Sequence, residues 1–256
     1  MKVRTTVMAA TAAVLCLTAV ACGPGDSADK GERKDSGKAS GSASASPDPG
    51  SDTGSAPGPK PTSNGKTLTE AELIKVALAN GELPDYDFAK MPGGDERGTE
   101  QSENPACRPI ASIINGSPEP APAATVFRTA MDVSEEGQDD QTVVTEILTS
   151  HAPGGAEQLL SSVRDAVKAC AGGFRTTSDD GPSTYTEVKA LPAPKAGQES
   201  LAYQVTGSIE GEGVPLVFQL VRTGSTVVTF YAANFTSART PEVPAALVTA
   251  QAAKLP

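Results

Sequence analysis

Leu201-Ala202-Tyr203-Gln204-Val205-Thr206-Gly207-Ser208-Ile209 alternates large apolar side chains with small or polar ones, and this period of two decides the fold class. Successive strand side chains point to opposite faces. Leu201, Tyr203, Val205 and Ile209 therefore share one face, and Ala202, Gln204, Thr206 and Ser208 the other. That pattern is expected of an antiparallel sheet with one side packed and one side wet.

Working outward, Glu210-Gly211-Glu212-Gly213 reads as a turn into a strand from Val214 to Arg222. Thr223-Gly224-Ser225 reads as a turn into another strand, Thr226 to Phe235. Three neighbouring strands with tight turns make a meander. Pro241 opens a last helix whose Val243, Ala246, Leu247 and Ala250 can return to the sheet. Thr184 to Leu191 is a further strand on the upstream side.

The clearest helix runs from Gly155 to Ala171. Ala156, Leu159, Leu160, Val163, Ala166, Val167 and Cys170 recur at the spacing of a core-facing stripe, and Gly172-Gly173 closes it. Before it comes a hairpin: Phe127, Thr129, Met131 and Val133 lie on one face of its first strand, and Thr142, Val143, Val144, Ile147 and Leu148 form its second. The acidic run Glu135 to Asp140 is the loop between them. Asn104-Pro105 and Arg108-Pro109 each offer a start to a short helix carrying Ile110, Ile113 and Ile114, with Asn115-Gly116 as its stop. Leu83 to Phe88 reads as a short extended segment, and Gly93 to Glu103 as a polar loop. The earliest helix begins near Thr69, where Thr69-Glu70-Ala71-Glu72 has the capping-box pattern ahead of Leu73, Ile74, Ala77 and Leu78, and ends at Asn80-Gly81.

Residues 67–256 thus form one α+β domain of about 190 residues, a size that supports a single core. Residues 22–66 are Gly, Ser, Ala, Pro, Asp and Lys with almost no large apolar side chain, so they cannot offset chain entropy and are expected to be a disordered linker. As a flexible coil such a tether reaches roughly 35–40 Å.

Residues 1–21 have the three parts of an export signal: Lys2 and Arg4, an apolar run from Val7 to Ala21, and small residues at a cut site. The run is about 15 residues, short of the ~20 that a membrane span needs. Leu17-Thr18-Ala19-Val20-Ala21-Cys22 resembles the lipobox of bacterial lipoproteins, in which the Cys becomes lipidated and N-terminal. Ala19 stands where the pattern usually has Leu, so cleavage to a plain secreted form is the alternative. Two or more acyl chains on Cys22 would give stable anchoring to a membrane without a transmembrane helix.

That address sorts the four cysteines. Cys16 leaves with the signal, Cys22 takes lipid, and Cys107 and Cys170 are expected to pair in an oxidising compartment. The formal net charge of −10 becomes about two units more negative once the signal is removed, which argues against nucleic acid as a partner.

Catalytic constellations are sparse. His151 is the only histidine, so it alone could serve as a triad's histidine base, and no Gly-x-Ser-x-Gly elbow accompanies it. It reads as an exposed loop residue, and a histidine-rich metal site is excluded by count. Asp139-Asp140, Asp179-Asp180-Gly181 and Glu210-Gly211-Glu212 lack the alternation of an EF-hand loop and read as solvated turns. The sequons at Asn115 and Asn234 read as fortuitous. Tyr203, Phe218, Phe230, Tyr231 and Phe235 are strand aromatics, expected in the core or along a ligand cleft. No metal or cofactor is expected.

Leu83-Pro84-Asp85-Tyr86, Pro105-Ala106-Cys107, Ala169-Cys170-Ala171-Gly172-Gly173-Phe174 and Gln198-Glu199-Ser200-Leu201-Ala202-Tyr203 together resemble actinobacterial cell-surface lipoproteins. The same arrangement is similar to the extracellular sensor domain of PknH-type receptor kinases, over about residues 68 to 255. The resemblance implies an antiparallel sheet packed by helices with a cleft for a small ligand. That family carries two disulfides where this chain can form one, and nothing transfers as a catalytic residue. The expectation is a non-enzymatic, sensor-like binding domain on the extracellular face of the membrane, its small-molecule or protein ligand unnamed. The alternative is a carrier of lipid or another hydrophobic molecule.

Overall fold

The computed structural model describes residues 65–90, 97–209, 211–237 and 239–256. Cys16, Cys22, the apolar leader and most of the tether lie outside the described residues, as does Glu210.

Helix α1 (Glu70–Val76) starts at Thr69, whose side chain and that of Glu72 close the capping box. Strand β1 (Tyr86–Ala89) follows, then β2 (Gln101–Ser102), a 3₁₀ turn at Pro105–Cys107 and helix α2 (Arg108–Ile114). Next come β3 (Ala124–Asp132), α3 (Glu135–Asp140), β4 (Val143–Ser150), α4 (Gly155–Ala169) and β5 (Phe174–Thr177). The chain closes with β6 (Ser183–Leu191), β7 (Glu199–Ile209), β8 (Glu212–Thr223), β9 (Thr226–Ala233) and α5 (Ala245–Lys254).

The fold is α+β. Among the described residues the strands form one nine-stranded sheet in the order β1-β3-β4-β9-β8-β7-β6-β5-β2, every neighbouring pair antiparallel. The meander and the β3–β4 hairpin were legible in the sequence. One expectation needs correction: the sheet's centre is not wet on one side. Helices α2 and α4 cover one face over Leu201, Tyr203, Val205, Leu216, Phe218 and Leu220. Leu73 of α1 and Leu247 and Val248 of α5 cover the other, over Val126, Leu148, Val217, Val228 and Phe230. Strands β8 and β9 are thus buried on both sides, which fits their near-continuous apolar runs. Alternation survives in β7 from Tyr203 to Gly207, where Tyr203, Val205 and Gly207 are buried and Gln204 and Thr206 half-buried, and it is lost at the end of the strand, where Ser208 and Ile209 are both exposed.

Other differences have local causes. Helix α1 stops at Val76 because α5 captures its end: Gln251 Nε2 donates to the Val76 carbonyl at 2.9 Å, and Lys254 Nζ to the Ala77 carbonyl at 2.8 Å. Ile74 of α1 faces solvent, and Leu73 is the helix's buried residue. The acidic run is a helix, α3, because the Ser134 hydroxyl accepts from the Gly137 N–H at 3.1 Å and caps it. Met131 and Val133 are exposed because α2 and α4 do not reach over that end of β3. Helix α5 begins at Ala245, after Pro241, and buries Leu247, Val248 and Gln251 while Ala246 stays exposed. Strand β5 was not expected. No helix of the described residues is long and apolar enough to cross a membrane.

Candidate functional site

The two ends of the sheet differ in kind. At one end the chain arrives: a Cβ on Gly65 would fall 2.2 Å from the Ser225 backbone nitrogen, so only glycine fits against the β8–β9 turn there. Ser225 Oγ donates to the Lys66 carbonyl at 2.6 Å, Thr67 Oγ1 to the His151 carbonyl at 2.8 Å, and the Leu68 N–H to Ser150 Oγ at 2.7 Å. The incoming strap is sewn to the last residues of β4 and the tight turn beside them.

Helix α3 marks the other end. Asp132, the last residue of β3, accepts from the Ser134 N–H at 2.9 Å and the Ser134 hydroxyl at 2.6 Å, which fixes the helix start. Gly137 packs so tightly on Asp132 that a Cβ would lie 2.1 Å from the carboxyl carbon. Gln141 ends the helix in the left-handed region at φ 57°.

Between α3, the β3–β4 hairpin and residues 239–244 lies a cleft of about 680 Å³. Its floor is apolar, with Ala130, Val144 and Pro241; its walls carry Asp132, Glu136, Asp139, Asp140 and Glu242. Arg239 pairs with Asp140. Buried Asn234 donates to the Asp140 carbonyl at 2.6 Å and accepts from the Thr236 and Ser237 N–H groups at 3.0 and 2.9 Å, which holds the chain leaving β9 against α3. The Tyr86 hydroxyl donates toward Asp132 Oδ2 at 3.4 Å. Burial, then the charges of Asp132 and Asp85, push that phenol up to about 12, so it stays a neutral donor. A ligand rich in hydrogen-bond donors or positive charge suits these walls. On the opposite face of the same hairpin, Met131 and Val143 border a second hollow of about 510 Å³.

The residues singled out from sequence are dispersed. Cys107 and Cys170 form a disulfide, with S–S 2.01 Å and Cα–Cα 5.9 Å, between the start of α2 and the end of α4. His151 sits at the strap end, away from the cleft. It is buried, not exposed, because the strap and the β8–β9 turn close over its backbone. Its Nε2 lies 3.0 Å from Thr149 Oγ1, while Nδ1 has no hydrogen-bond partner. Burial pushes the imidazole below its ordinary range, outweighing the nearby Pro120 carbonyl and Glu157.

Asp139 and Asp140 belong to a helix instead of a turn. Asp179 and Asp180 do form a turn, closed by Ser178 and Gly181. Tyr203, Phe218 and Tyr231 stack across β7, β8 and β9 with centroids 5.1 and 4.9 Å apart, Phe230 is buried on the other face, and Phe235 is 63% exposed beside the cleft end of β9. Asn115 and Asn234 are buried with side chains already engaged, Asn115 with both main-chain groups of Glu100.

Sequence reasoning missed Tyr86, Asp132, Arg239 and Glu242 as a group, because they come from three places in the chain and meet only through the fold. It also passed over Glu146. A charge two residues from Val144 and two from Leu148, on the same phase of a central strand, was the available signal.

No protein-family model matches this chain, and no curated protein matches it in sequence. Among solved structures it is similar to the extracellular domain of PknH from Mycobacterium tuberculosis, at 13% identity over 74% of this chain and 95% of that chain, with a TM-score of 0.47.

Proposed function

We propose that the protein is an exported lipoprotein, anchored through Cys22, whose folded part is a non-catalytic, sensor-like module. It meets its ligand or partner at the α3 end of the sheet. The observation that carries this reading is the opposition of tether and cleft. Strand β4 runs from Val143, between the cleft-lining Thr142 and Val144, to Ser150 at the strap, eight residues or roughly 23 Å at ~3.3 Å per residue. A tether attached at Gly65 would join the folded part at its strap end and leave the cleft, at the opposite end, unencumbered by the attachment. The cleft walls supply carboxylates, one guanidinium and a neutral phenol, which bind and orient. The one imidazole of the chain lies at the far end of β4 from them.

The test has two arms. Palmitate labelling of cells should mark the wild type and leave Cys22→Ala unlabelled; label retained in the variant overturns the anchor. Photo-crosslinking residues placed at Asp139 and at Thr186, on the distant β6, should give adducts on intact cells from the first position only. Adducts from Thr186 alone overturn the assignment of the binding end. Native mass spectrometry that finds the purified protein loaded with lipid would replace this reading with that of a lipid carrier.

A further inference from the structure

Glu146 lies in the middle of β4, on the face covered by α1 and α5, between Val144 and Leu148 of its own strand. Its cross-strand neighbours are Arg128 on β3 and Phe230 on β9. The residue is 1% exposed, and neither carboxyl oxygen has a hydrogen-bond partner. A buried carboxylate without partners is far more costly than a buried carboxylic acid, so the site favours a proton.

The charges that face it are few and largely occupied. From β3, Arg128 spends Nη1 on the Phe127 carbonyl at 2.9 Å. From α5, Lys254 is held by the Ala77 carbonyl and by both oxygens of Glu82, at 2.7 and 2.6 Å. Glu82, from the segment after α1, adds a like charge. Strand β9 offers Phe230, and α1 offers Leu73, neither of which titrates. Burial pushes the Glu146 carboxyl up to about 8, against the lowering pull of Arg128 and Lys254 and with a small raising push from Glu82.

The helices that cover this face of the sheet are pinned to each other. Gln251 and Lys254 of α5 bond the end of α1 and the residues after it. An ionised Glu146 has Arg128 as its nearest cation but no hydrogen-bond partner in the closed arrangement, and parting the helices over this face would admit the water it lacks.

We propose that Glu146 is a proton-operated latch: while it holds its proton, α5 and the end of α1 stay closed over this face of the sheet, and loss of the proton favours their release. This inference is independent of which ligand the α3 cleft takes. Opening is linked to a proton between the ordinary carboxylate pKa near ~4.5 and the value of about 8 in the closed form. Across that window the opening equilibrium rises with pH, by up to about tenfold per unit, and levels off above it.

The experiment is amide hydrogen exchange of the exported protein, tether included, at pH 5.5, 6.5 and 7.5, corrected for intrinsic exchange chemistry. Val248 to Lys254 should gain up to about a hundredfold in opening from pH 5.5 to 7.5. Glu146→Gln, which keeps the shape and cannot ionise, should show no such gain. Equal pH dependence in wild type and variant overturns the latch. A carbon-13 titration of the Glu146 carboxyl in the wild type stands apart from any variant's ability to fold, and a midpoint near ~4.5 also overturns it.

Discussion

Arg222 Nη1 lies 3.1 Å from Glu157 Oε1, so a guanidinium on β8 ties the sheet to the first turn of α4. Its Nε reaches Glu199 Oε2 at the same distance, and Arg164 of α4 meets the other Glu199 oxygen at 2.6 Å. Burial alone would raise the Glu199 carboxyl, yet Arg164 and Arg222 outweigh it and hold it below its ordinary range. With only 13% of its side chain exposed, Arg222 is a poorly screened partner. Its removal leaves Glu157 partly buried without its cation and Glu199 with Arg164 alone. Arg222→Met is expected to cost about 2–4 kcal/mol in urea unfolding. Arg222→Lys should recover only a minor part, because one ammonium cannot reach both carboxylates as the fork does. A loss under about 0.5 kcal/mol for Arg222→Met would show the network to be ornamental.

The Cys107–Cys170 bond links residues 63 apart in sequence and fastens α2 to the end of α4. In the chain-entropy account a closed loop of that length contributes about 4 kcal/mol, by limiting the unfolded chain. Calorimetry of Cys107→Ala/Cys170→Ala against the oxidised wild type should show a clear fall in Tm, matched by wild type in reductant. An unchanged Tm in both would mean that the unfolded state keeps α2 and α4 together without the bond.

The aromatic ladder separates core from surface among residues that look alike in sequence. Phe218 is buried between the rings of Tyr203 and Tyr231, whereas Phe235 stands in solvent past the end of β9. Phe218→Ala is expected to cost about 3–5 kcal/mol. Phe235→Ser should stay within about 0.5 kcal/mol of wild type and, if the α3 end is a binding face, weaken the adducts formed there. Comparable losses from the two substitutions would contradict the burial pattern.

Helix α4, the hairpin and the three-strand meander were legible because each carries a local period, 3.6 or 2, that burial then rewards. What the period could not show is which faces a distant helix covers. Residues such as Met131 and Val143 have apolar side chains on the correct phase and yet stay exposed, since α2 and α4 extend over Tyr203 and Phe218 and not over that end of β3 and β4. The acidic stretch from Glu135 to Asp140 reads as a loop by composition, and one serine cap with a tight Gly137 contact makes it a helix. The cleft was illegible for a related reason: Tyr86, Asp132, Asp140 and Glu242 belong to four segments brought together by sheet order alone. His151 was misjudged because a strand-end histidine before a glycine-rich helix start looks exposed until the strap from Gly65 to Leu68 is laid over it.

That buried histidine gives the last expectation, which concerns acid. Burial lowers the folded-state pKa of His151 below the unfolded value near ~6.5, so the native state binds fewer protons than the unfolded chain as pH falls below that value. Its contribution to stability is therefore full above ~6.5 and is lost as pH falls toward the depressed folded pKa. Glu146 works in the opposite sense: its folded pKa is raised, so its contribution is full below ~4.5 and is lost as pH rises toward about 8. The two slopes oppose each other where their windows overlap, and wild-type stability alone will not separate them. In a Glu146→Gln background the remaining fall on acidification from pH 7 to 5 should be largely abolished by His151→Gln, which retains a hydrogen-bonding group toward Thr149. If the double variant keeps the full acid slope in urea unfolding, the proton responsible is taken up elsewhere and His151 stays neutral through that range.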